Sequence, residues 1–412
     1  MKRAVVLVGL LFLLSFKAGC AASSSMMGLA TRSDSLTVTV DWGTATSAIT
    51  SADPVESRPL PPSALALLAI SRWGVVTIAS VGPDGEVTDL TTEGRPIDEG
   101  QLSYAGHTLA YLVLEGINPA DNFIAVVDLS TGRSRAVHPS GGFAIFGFVL
   151  SPTGQQLVYL EVSMTGGSQA IPWQVYLVDL VKGEREVVLR GVQTGEGQNP
   201  AQVPIAWSAT RGEIYTRGIV PYQWNVGQGI WAVRPDGSGM RPILSEMDYV
   251  ELPRLSPDGT RLAYLASEPD YLPRDYLAGP AAPPPNILKV MDLATGQEHI
   301  AAHEEGGAYG SFLWAPDAAH FLLRQARWED GAFQPRAILS LASEGSEPQE
   351  GLTLVSEERG TIGPFRPCAG GDLLYVVRGD RGAELRLKRG DEQPSVLFSL
   401  PDGDIHFITC WG

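Results

Sequence analysis

Positive charge is scarce in this 412-residue chain, where 30 Lys and Arg residues stand against 46 Asp and Glu residues and leave a net charge of −16. Nucleic-acid binding needs a concentrated excess of Lys and Arg, so the composition argues against a nucleic-acid partner. Charged residues of both signs make up only 18% of the chain, while hydrophobic residues reach 44%. Most of the chain can therefore bury a core.

The first apolar run, Ala4–Leu14, is too short to span a bilayer. It has eleven residues, against about 20 for a transmembrane helix, and it follows a basic N-terminus. This pattern predicts a signal peptide over residues 1–19. We therefore expect export to the cell envelope, on its periplasmic or extracellular face.

The residues around Cys20 resemble the lipobox of bacterial lipoproteins. Ala18 and Gly19 directly precede the cysteine, although Lys17 stands where that family has an apolar residue. The resemblance implies that Cys20 is lipidated and anchors the chain to a membrane. The alternative is an ordinary signal peptide that is cut near Ala21.

Residues 20–62 have the composition of a linker. They are rich in Ala, Ser, Thr and Pro, which predicts an extended and flexible tether. Within them, residues 36–42 alternate apolar and polar side chains. That pattern predicts one strand, which we expect to add to a sheet edge or to cover one.

From residue 63 onward the chain repeats a motif. The strongest copies are Leu255–Leu265 (LSPDGTRLAYL) and Leu150–Leu160 (LSPTGQQLVYL), and weaker copies begin near residues 102, 207, 314 and 366. Pro-Asp-Gly closes a tight hairpin, because Pro fixes φ, Asp bonds its own turn and Gly tolerates a positive φ. A regular period of about 50 residues is typical of a propeller or an array.

Each repeat predicts four antiparallel strands, which is the content of one propeller blade. No first strand precedes the first repeat, but the C-terminal segment 405–412 has the pattern of one. We therefore predict an all-β, seven-bladed propeller over residues 63–412 that is closed by its C-terminal strand, with six blades as the alternative. Closure of this kind removes the exposed sheet edges.

The repeats resemble those of TolB-like and WD-like propellers of the bacterial cell envelope. The match is strongest at residues 256–264, where Ser-Pro-Asp-Gly precedes an Ala-aromatic pair. The resemblance implies a fold rather than a function, since propellers carry many activities. Similar propellers also cap prolyl-oligopeptidase-type hydrolases, but this chain has no Gly-x-Ser-x-Gly elbow. We therefore expect a protein that is not an enzyme.

Little in the sequence points to a metal or a cofactor. His299 and His303 are four residues apart in a predicted strand. This spacing is about 13 Å along a strand, too far for the two rings to share a zinc ion. The sequence has neither a calcium-binding loop nor a phosphate-binding glycine loop. We expect no cofactor and no metal.

Two cysteines, Cys368 and Cys410, fall beside the predicted inner strands of the seventh and first blades. These blades are neighbours once the ring is closed. In an oxidising compartment two such cysteines often pair, whereas reduced thiols would act as small buried apolar groups. The sequence leaves both possibilities open.

Aromatic side chains occur in the long predicted loops between second and third strands, all on one face of the ring. Long loops and exposed rings are typical of binding surfaces. The candidate binding face consists of Trp173, Tyr222, Trp224, Tyr271, Tyr276, Trp328 and Phe333. The alternative is that these rings pack beneath their own loops.

Together these features predict a monomeric, envelope-anchored scaffold that binds a protein, a peptide or a glycan. The alternative function is a propeller with a shallow carbohydrate- or peptide-processing site at its axial channel.

Overall fold

A computed structural model of the chain describes residues 49–50, 57–72, 75–91, 97–115, 117–165, 170–194, 199–220, 223–244, 251–267, 285–304, 307–329, 332–344, 352–356, 360–368 and 371–410. Residues Trp42–Gly412 form one compact unit. No helix in the described part of the chain is long and apolar enough to cross a membrane. The predicted signal peptide, Cys20 and the predicted strand at residues 36–42 lie outside the described residues.

Apart from β1 (Ile49–Thr50), the strands group into seven blades of four antiparallel strands. Blade 1 contains β2 (Ala66–Arg72), β3 (Val75–Val81) and β4 (Val87–Asp89) together with β29 (Gly403–Cys410). Blade 2 contains β5 (Ile97–Ala105), β6 (Thr108–Val113), β7 (Phe123–Asp128) and β8 (Arg133–Val137). Blade 3 contains β9 (Phe143–Leu150), β10 (Gln156–Ser163), β11 (Ala170–Asp179) and β12 (Arg185–Thr194).

The remaining four blades follow in chain order. Blade 4 contains β13 (Ala201–Ser208), β14 (Glu213–Val220), β15 (Gln223–Val233) and β16 (Arg241–Leu244). Blade 5 contains β17 (Glu251–Leu255), β18 (Arg261–Ala266), β19 (Ile287–Asp292) and β20 (Glu298–His303). Blade 6 contains β21 (Gly307–Trp314), β22 (His320–Glu329), β23 (Ala332–Ala342) and β24 (Leu352–Ser356). Blade 7 contains β25 (Thr361–Pro367), β26 (Leu373–Gly379), β27 (Gly382–Lys388) and β28 (Ser395–Leu400).

Blade 1 joins the two ends of the ring. β29 pairs with β2 from Cys410 opposite Ala66 to Gly403 opposite Arg72, with an irregularity at His406, which has no opposite residue in β2. The predicted seven-bladed propeller, closed by its C-terminal strand, is therefore confirmed. The six-bladed alternative is excluded.

The hydrophobic core lies between adjacent blades. Successive side chains of a strand point to opposite faces of its sheet, so each blade packs against the blade before it and the blade after it. In blade 3, Tyr159 packs toward blade 2 and Val158 packs toward blade 4. The largest fully buried side chains include seven tyrosines, namely Tyr111, Tyr159, Tyr176, Tyr215, Tyr264, Tyr309 and Tyr375. Burial on both faces makes each blade depend on its neighbours.

The Pro-Asp-Gly hairpins are held by side-chain caps. In the strongest copy, Thr260 N donates to Asp258 Oδ1 at 3.1 Å and Arg261 N donates to Ser256 Oγ at 2.9 Å. Gly259 has a φ of +70°, and a Cβ on it would lie 2.5 Å from Ser208 Oγ in the preceding blade. The repeated motif therefore closes its own hairpin and also lets that hairpin approach the neighbouring blade.

The segment before blade 1 is bonded to the propeller. β1 pairs with β8, with Ile49 opposite Val137. Further on, Arg58 N donates to Leu90 O at 2.8 Å and Leu60 N donates to Leu129 O at 2.7 Å. The end of the predicted tether is thus hydrogen-bonded to residues of blades 1 and 2. Besides these backbone hydrogen bonds, Ser57 Oγ donates to Gly132 O at 2.5 Å, and Leu60 packs against the core between blades 1 and 2.

Candidate functional site

The first strands of four consecutive blades, β17, β21, β25 and β29, line a cavity together with Arg324 of β22. The first strand of each propeller blade lies nearest the axis. The cavity has a volume of about 220 Å³. Its lining residues are Arg254, Ser311, Phe312, Leu313, Arg324, Pro364, Phe365, Arg366 and His406. The cavity therefore lies in the axial channel.

The ionisable side chains that line the cavity are all basic. Three are arginines, the fourth is His406, and none of the lining residues is acidic. Burial lowers the pKa of Arg324 to about 10, with Arg378 adding repulsion. Burial likewise lowers the pKa of Arg366 to about 10, with repulsion from Arg254. Both guanidinium groups are still protonated at neutral pH, so positive charge is concentrated where hydration is poor.

Backbone carbonyl groups hold Arg324 in place. Its Nη1 donates to Ile362 O at 3.2 Å and to Gly363 O at 3.1 Å, and its Nη2 donates to Gly310 O at 3.2 Å. The Nε atoms of Arg324 and Arg254 are buried and have no hydrogen-bond partner among the described residues. An unmade bond of this kind costs about 1–3 kcal/mol. Buried polar groups that lack a hydrogen bond beside a cavity are typical of a functional site.

The nearby carboxylate of Asp404 is engaged by Arg378. Arg378 Nε donates to Asp404 Oδ1 at 2.6 Å, and Arg378 Nη2 donates to Ile405 O at 3.1 Å. Asp404 Oδ2 lies 3.9 Å from Nε2 of His406, which is beyond hydrogen-bond distance. Asp404 thus bonds to Arg378 from outside the cavity lining and also lies at ion-pair distance from the lining residue His406.

Apolar side chains form the rest of the cavity wall. Phe312 and Phe365 are buried, and Leu313 and Pro364 complete this part of the lining. An apolar wall lowers the local dielectric constant, which strengthens the attraction between the arginines and an anion in the cavity. The arrangement is therefore suited to an anionic group attached to an apolar or ring-shaped body.

Arg254 and Arg366 occupy the same position in two copies of the repeat. Each pairs with the residue that precedes the tyrosine of its blade's second strand, Ala263 in blade 5 and Leu374 in blade 7. The corresponding residues of blades 2, 3, 4 and 6 are Ser103, Val149, Trp207 and Leu313. The sequence analysis missed both arginines. Alignment of the repeats would have shown them as charged residues at a position that is otherwise uncharged.

The structure contradicts the prediction that Trp173 belongs to an exposed aromatic binding face. This side chain is only 3% exposed and packs in the core between blades 3 and 4. Its Nε1 donates to Asn199 O at 3.1 Å. The predicted loop is in fact the extended part of the β10–β11 hairpin, where Trp173 pairs with Val162. The strand continuation places the ring inside the sheet packing instead of on the surface.

Other members of that face also lie on strands. Trp224 is in β15, and Trp328 in β22 pairs with Phe333 in β23. Phe333 is partly exposed, whereas Tyr222, Tyr271, Tyr276 and the side chains of Trp224 and Trp328 lie outside the described residues. Long hairpins thus replace the predicted loops of blades 3, 4 and 6, because their strands continue through residues without a clear alternating pattern.

Cys368 and Cys410 form a disulfide, with their Cα atoms 5.2 Å apart. The bond joins the ends of β25 and β29, so it links blade 7 to blade 1. His299 and His303 both lie on β20, and His299 Nε2 is 2.8 Å from Ser343 O. Within the described ranges, no group of three or more His, Cys, Asp or Glu side chains is placed to hold a metal ion.

No protein family and no curated protein matches this sequence. Solved structures do match. An oligogalacturonate lyase in complex with manganese superposes with a TM-score of 0.55 at 12% identity, over 84% of this chain and 96% of the lyase chain. The acylaminoacyl peptidase of Pyrococcus horikoshii superposes with a TM-score of 0.54 at 12% identity, over 86% of this chain and 52% of the peptidase chain. TolB from Acinetobacter baumannii gives 0.43 at 14% identity, over 82% of this chain and 81% of TolB.

The likenesses to the lyase and to the peptidase overturn the expectation that the protein is not an enzyme. That expectation rested on the missing serine elbow of one hydrolase class, yet the lyase is an enzyme whose chain is matched almost completely by this propeller. The absence of one nucleophile motif therefore gave no ground for excluding catalysis. At 12% identity, the lyase and peptidase structures show the fold alone.

Proposed function

We propose that this propeller binds an acidic carbohydrate in its axial channel and processes it there. The observation that carries the proposal is the cavity itself, which collects Arg254, Arg324 and Arg366 without a lining carboxylate. Guanidinium groups match the planar geometry of a carboxylate and can bind it with two hydrogen bonds. A uronate carboxylate would supply the missing negative charge.

The size of the cavity limits what can enter it. A cavity of 150 Å³ holds a benzene molecule, so about 220 Å³ is enough for one sugar ring. The rest of an oligosaccharide would then extend along the open channel. The apolar wall, which includes Phe312 and Phe365, would contact the faces of that ring.

The residues of the cavity suit an elimination at a uronate. Arginines that neutralise the carboxylate make the adjacent C–H bond more acidic, and His406, the imidazole of the cavity lining, would take that proton. Loss of the proton forms a carbon–carbon double bond while the bond to the β-oxygen breaks, and the leaving sugar gains a proton. The step needs no oxidant. The fold of this protein matches 96% of the chain of an oligogalacturonate lyase, whereas it matches only about half of the peptidase chain. The comparison therefore supports a carbohydrate substrate over a peptide.

Calorimetric titration with trigalacturonate tests the binding step. Galactotriose is the matched control ligand, because it has a similar size and lacks the carboxylates. We expect only the acidic trisaccharide to bind, and we expect Arg254→Gln or Arg366→Gln to weaken binding about tenfold or more, as for the loss of a charged hydrogen bond. Arg133→Gln is the control variant, since it removes one exposed arginine from β8. Equal binding of both trisaccharides, or an equal effect of Arg133→Gln, would refute the proposal.

The catalytic step is tested separately by the ultraviolet absorbance of the unsaturated product. His406→Gln should lose turnover while it still binds trigalacturonate, because the arginines remain. Absence of product from the wild-type protein under conditions where the ligand is bound would restrict the proposal to binding.

We also propose that the site works in the cell envelope, where residues 1–19 direct export and Cys20 carries a lipid that anchors the chain. The support is the short apolar run before Ala18-Gly19-Cys20. Cys20→Ser should release the protein from membranes in fractionated cells. Wild-type protein found entirely in the soluble fraction with an unmodified N-terminus would contradict the anchor.

A further inference from the structure

We propose that the Cys368–Cys410 disulfide positions Arg366 and His406, so that the affinity of the channel cavity for its anionic ligand depends on whether this bond is oxidised. The inference rests on the proposed function, because it concerns the same cavity. It adds a pair of positioning residues that do not themselves line the site.

The two cavity residues belong to different sheets. Arg366 is on β25 in blade 7, and His406 is on β29 in blade 1. No hydrogen-bonded ladder joins these two strands, since each pairs only within its own blade. The disulfide is the covalent link between them, two residues beyond Arg366 and four residues beyond His406. It therefore limits how far Arg366 and His406 can move apart.

A second link holds the other end of β29. Arg378 in blade 7 donates to Asp404 Oδ1 at 2.6 Å and to Ile405 O at 3.1 Å. His406 thus lies between two fixed points, the Arg378 contacts on one side and the disulfide on the other. Breaking the disulfide releases one of these points and leaves the pairing of β29 with β2 intact.

The chemical step is a two-electron reduction by a dithiol. The S–S bond breaks, the two sulfurs take up two protons and become thiols, and the dithiol is oxidised to its own disulfide. Cys368 is buried and Cys410 is partly exposed, so a reductant would attack from the side of Cys410. The reaction is reversible, which allows the same sample to be measured in both states.

Titration of trigalacturonate and, in parallel, inorganic sulfate into oxidised and reduced protein tests the proposal. We expect binding of both probes to weaken about tenfold on reduction, the size expected when one charged hydrogen bond is lost, and to recover on reoxidation. Circular dichroism should be unchanged between the two states. Equal affinity in the two states would overturn the proposal.

The effect of reduction in two variants distinguishes a positioning role of the disulfide from a general loss of structure. In Arg366→Gln the reduction should cause little further weakening, whereas in Arg254→Gln it should cause the full tenfold effect. A merely structural role would weaken binding by the same factor in every background. That result would refute a specific action through Arg366.

Pro367→Gly provides a second test should the reduced chain unfold. This change keeps the disulfide but loosens the connection between Cys368 and Arg366, so it should weaken both probes severalfold at an unchanged fold. Unchanged affinity in this variant would overturn the proposal. Sulfate binding without trigalacturonate binding would refute the carbohydrate proposal and leave the disulfide test in force, while failure of both probes with oxidised wild-type protein would refute both proposals.

Discussion

Replacement of Trp173 by alanine should destabilise the whole propeller. The indole is 3% exposed, and a Cβ on Gly191 of the next strand would lie 2.6 Å from its ring, so the backbone is packed directly against it. Removing a buried aromatic ring of this size costs about 3–5 kcal/mol, and loss of the bond to Asn199 O adds about 1 kcal/mol. We expect a loss of about 4–6 kcal/mol in the free energy of unfolding, a large share of a typical total of 5–15 kcal/mol.

Urea denaturation followed by tryptophan fluorescence and circular dichroism measures this loss. Trp173→Phe separates the two contributions, because it keeps a buried ring and removes the indole N–H, and it should cost about 1–2 kcal/mol. Val181→Ala is the surface control, since Val181 is 69% exposed and should change stability by less than about 0.5 kcal/mol. A loss below about 1 kcal/mol for Trp173→Ala would show that the ring is not packed in the core, and the reasoning would fail.

Other parts of the ring give further tests. Hydrogen bonds within the turn of Asp292, chiefly from a backbone amide, hold the pKa of this carboxyl group below its usual range, so the ionised group stabilises the folded state above the unfolded pKa. As the pH drops from 5 toward 3, the urea midpoint should fall less steeply in Asp292→Asn than in the wild-type protein. Reduction of the Cys368–Cys410 disulfide, which closes a loop of 42 residues, should lower the free energy of unfolding by about 4 kcal/mol, and an unchanged melting temperature would contradict this. Gly237→Ala should destabilise strongly, because its φ is +80° and the new Cβ would lie 2.3 Å from a backbone oxygen; Gly212→Ala, with a φ of +61° and open space around it, should cost clearly less in the same melting experiment.

The repeat made the fold predictable. Its signals are local, since Ser-Pro-Asp-Gly and the apolar run that follows it describe a hairpin by themselves. Those hairpins recur at Ser151 and Ser256 with backbone bonds across the turn, as expected. Ring closure was predictable for the same reason, because residues 405–412 have the pattern that the first repeat lacks.

The cavity was not predicted, because its residues are far apart in the sequence. Arg254 and His406 are separated by about three blades of chain and meet only when the ring is closed. The prediction that Trp173 lies on an exposed binding face failed for a related reason. Whether a strand continues past its usual length depends on pairing with Val162 and on packing against blade 4, and neither is visible in a local pattern.

The pairing of β29 with β2 also sets an order of events during synthesis. Blade 1 has three strands at the start of the propeller and cannot complete its sheet until β29 has left the ribosome. Six blades can stack before then, but the first strand edge stays open and His406 is missing from the cavity. A nascent chain that stops short of β29 would thus expose an unpaired edge, a known target of aggregation and proteolysis. Closing the ring and completing the site are therefore the same step.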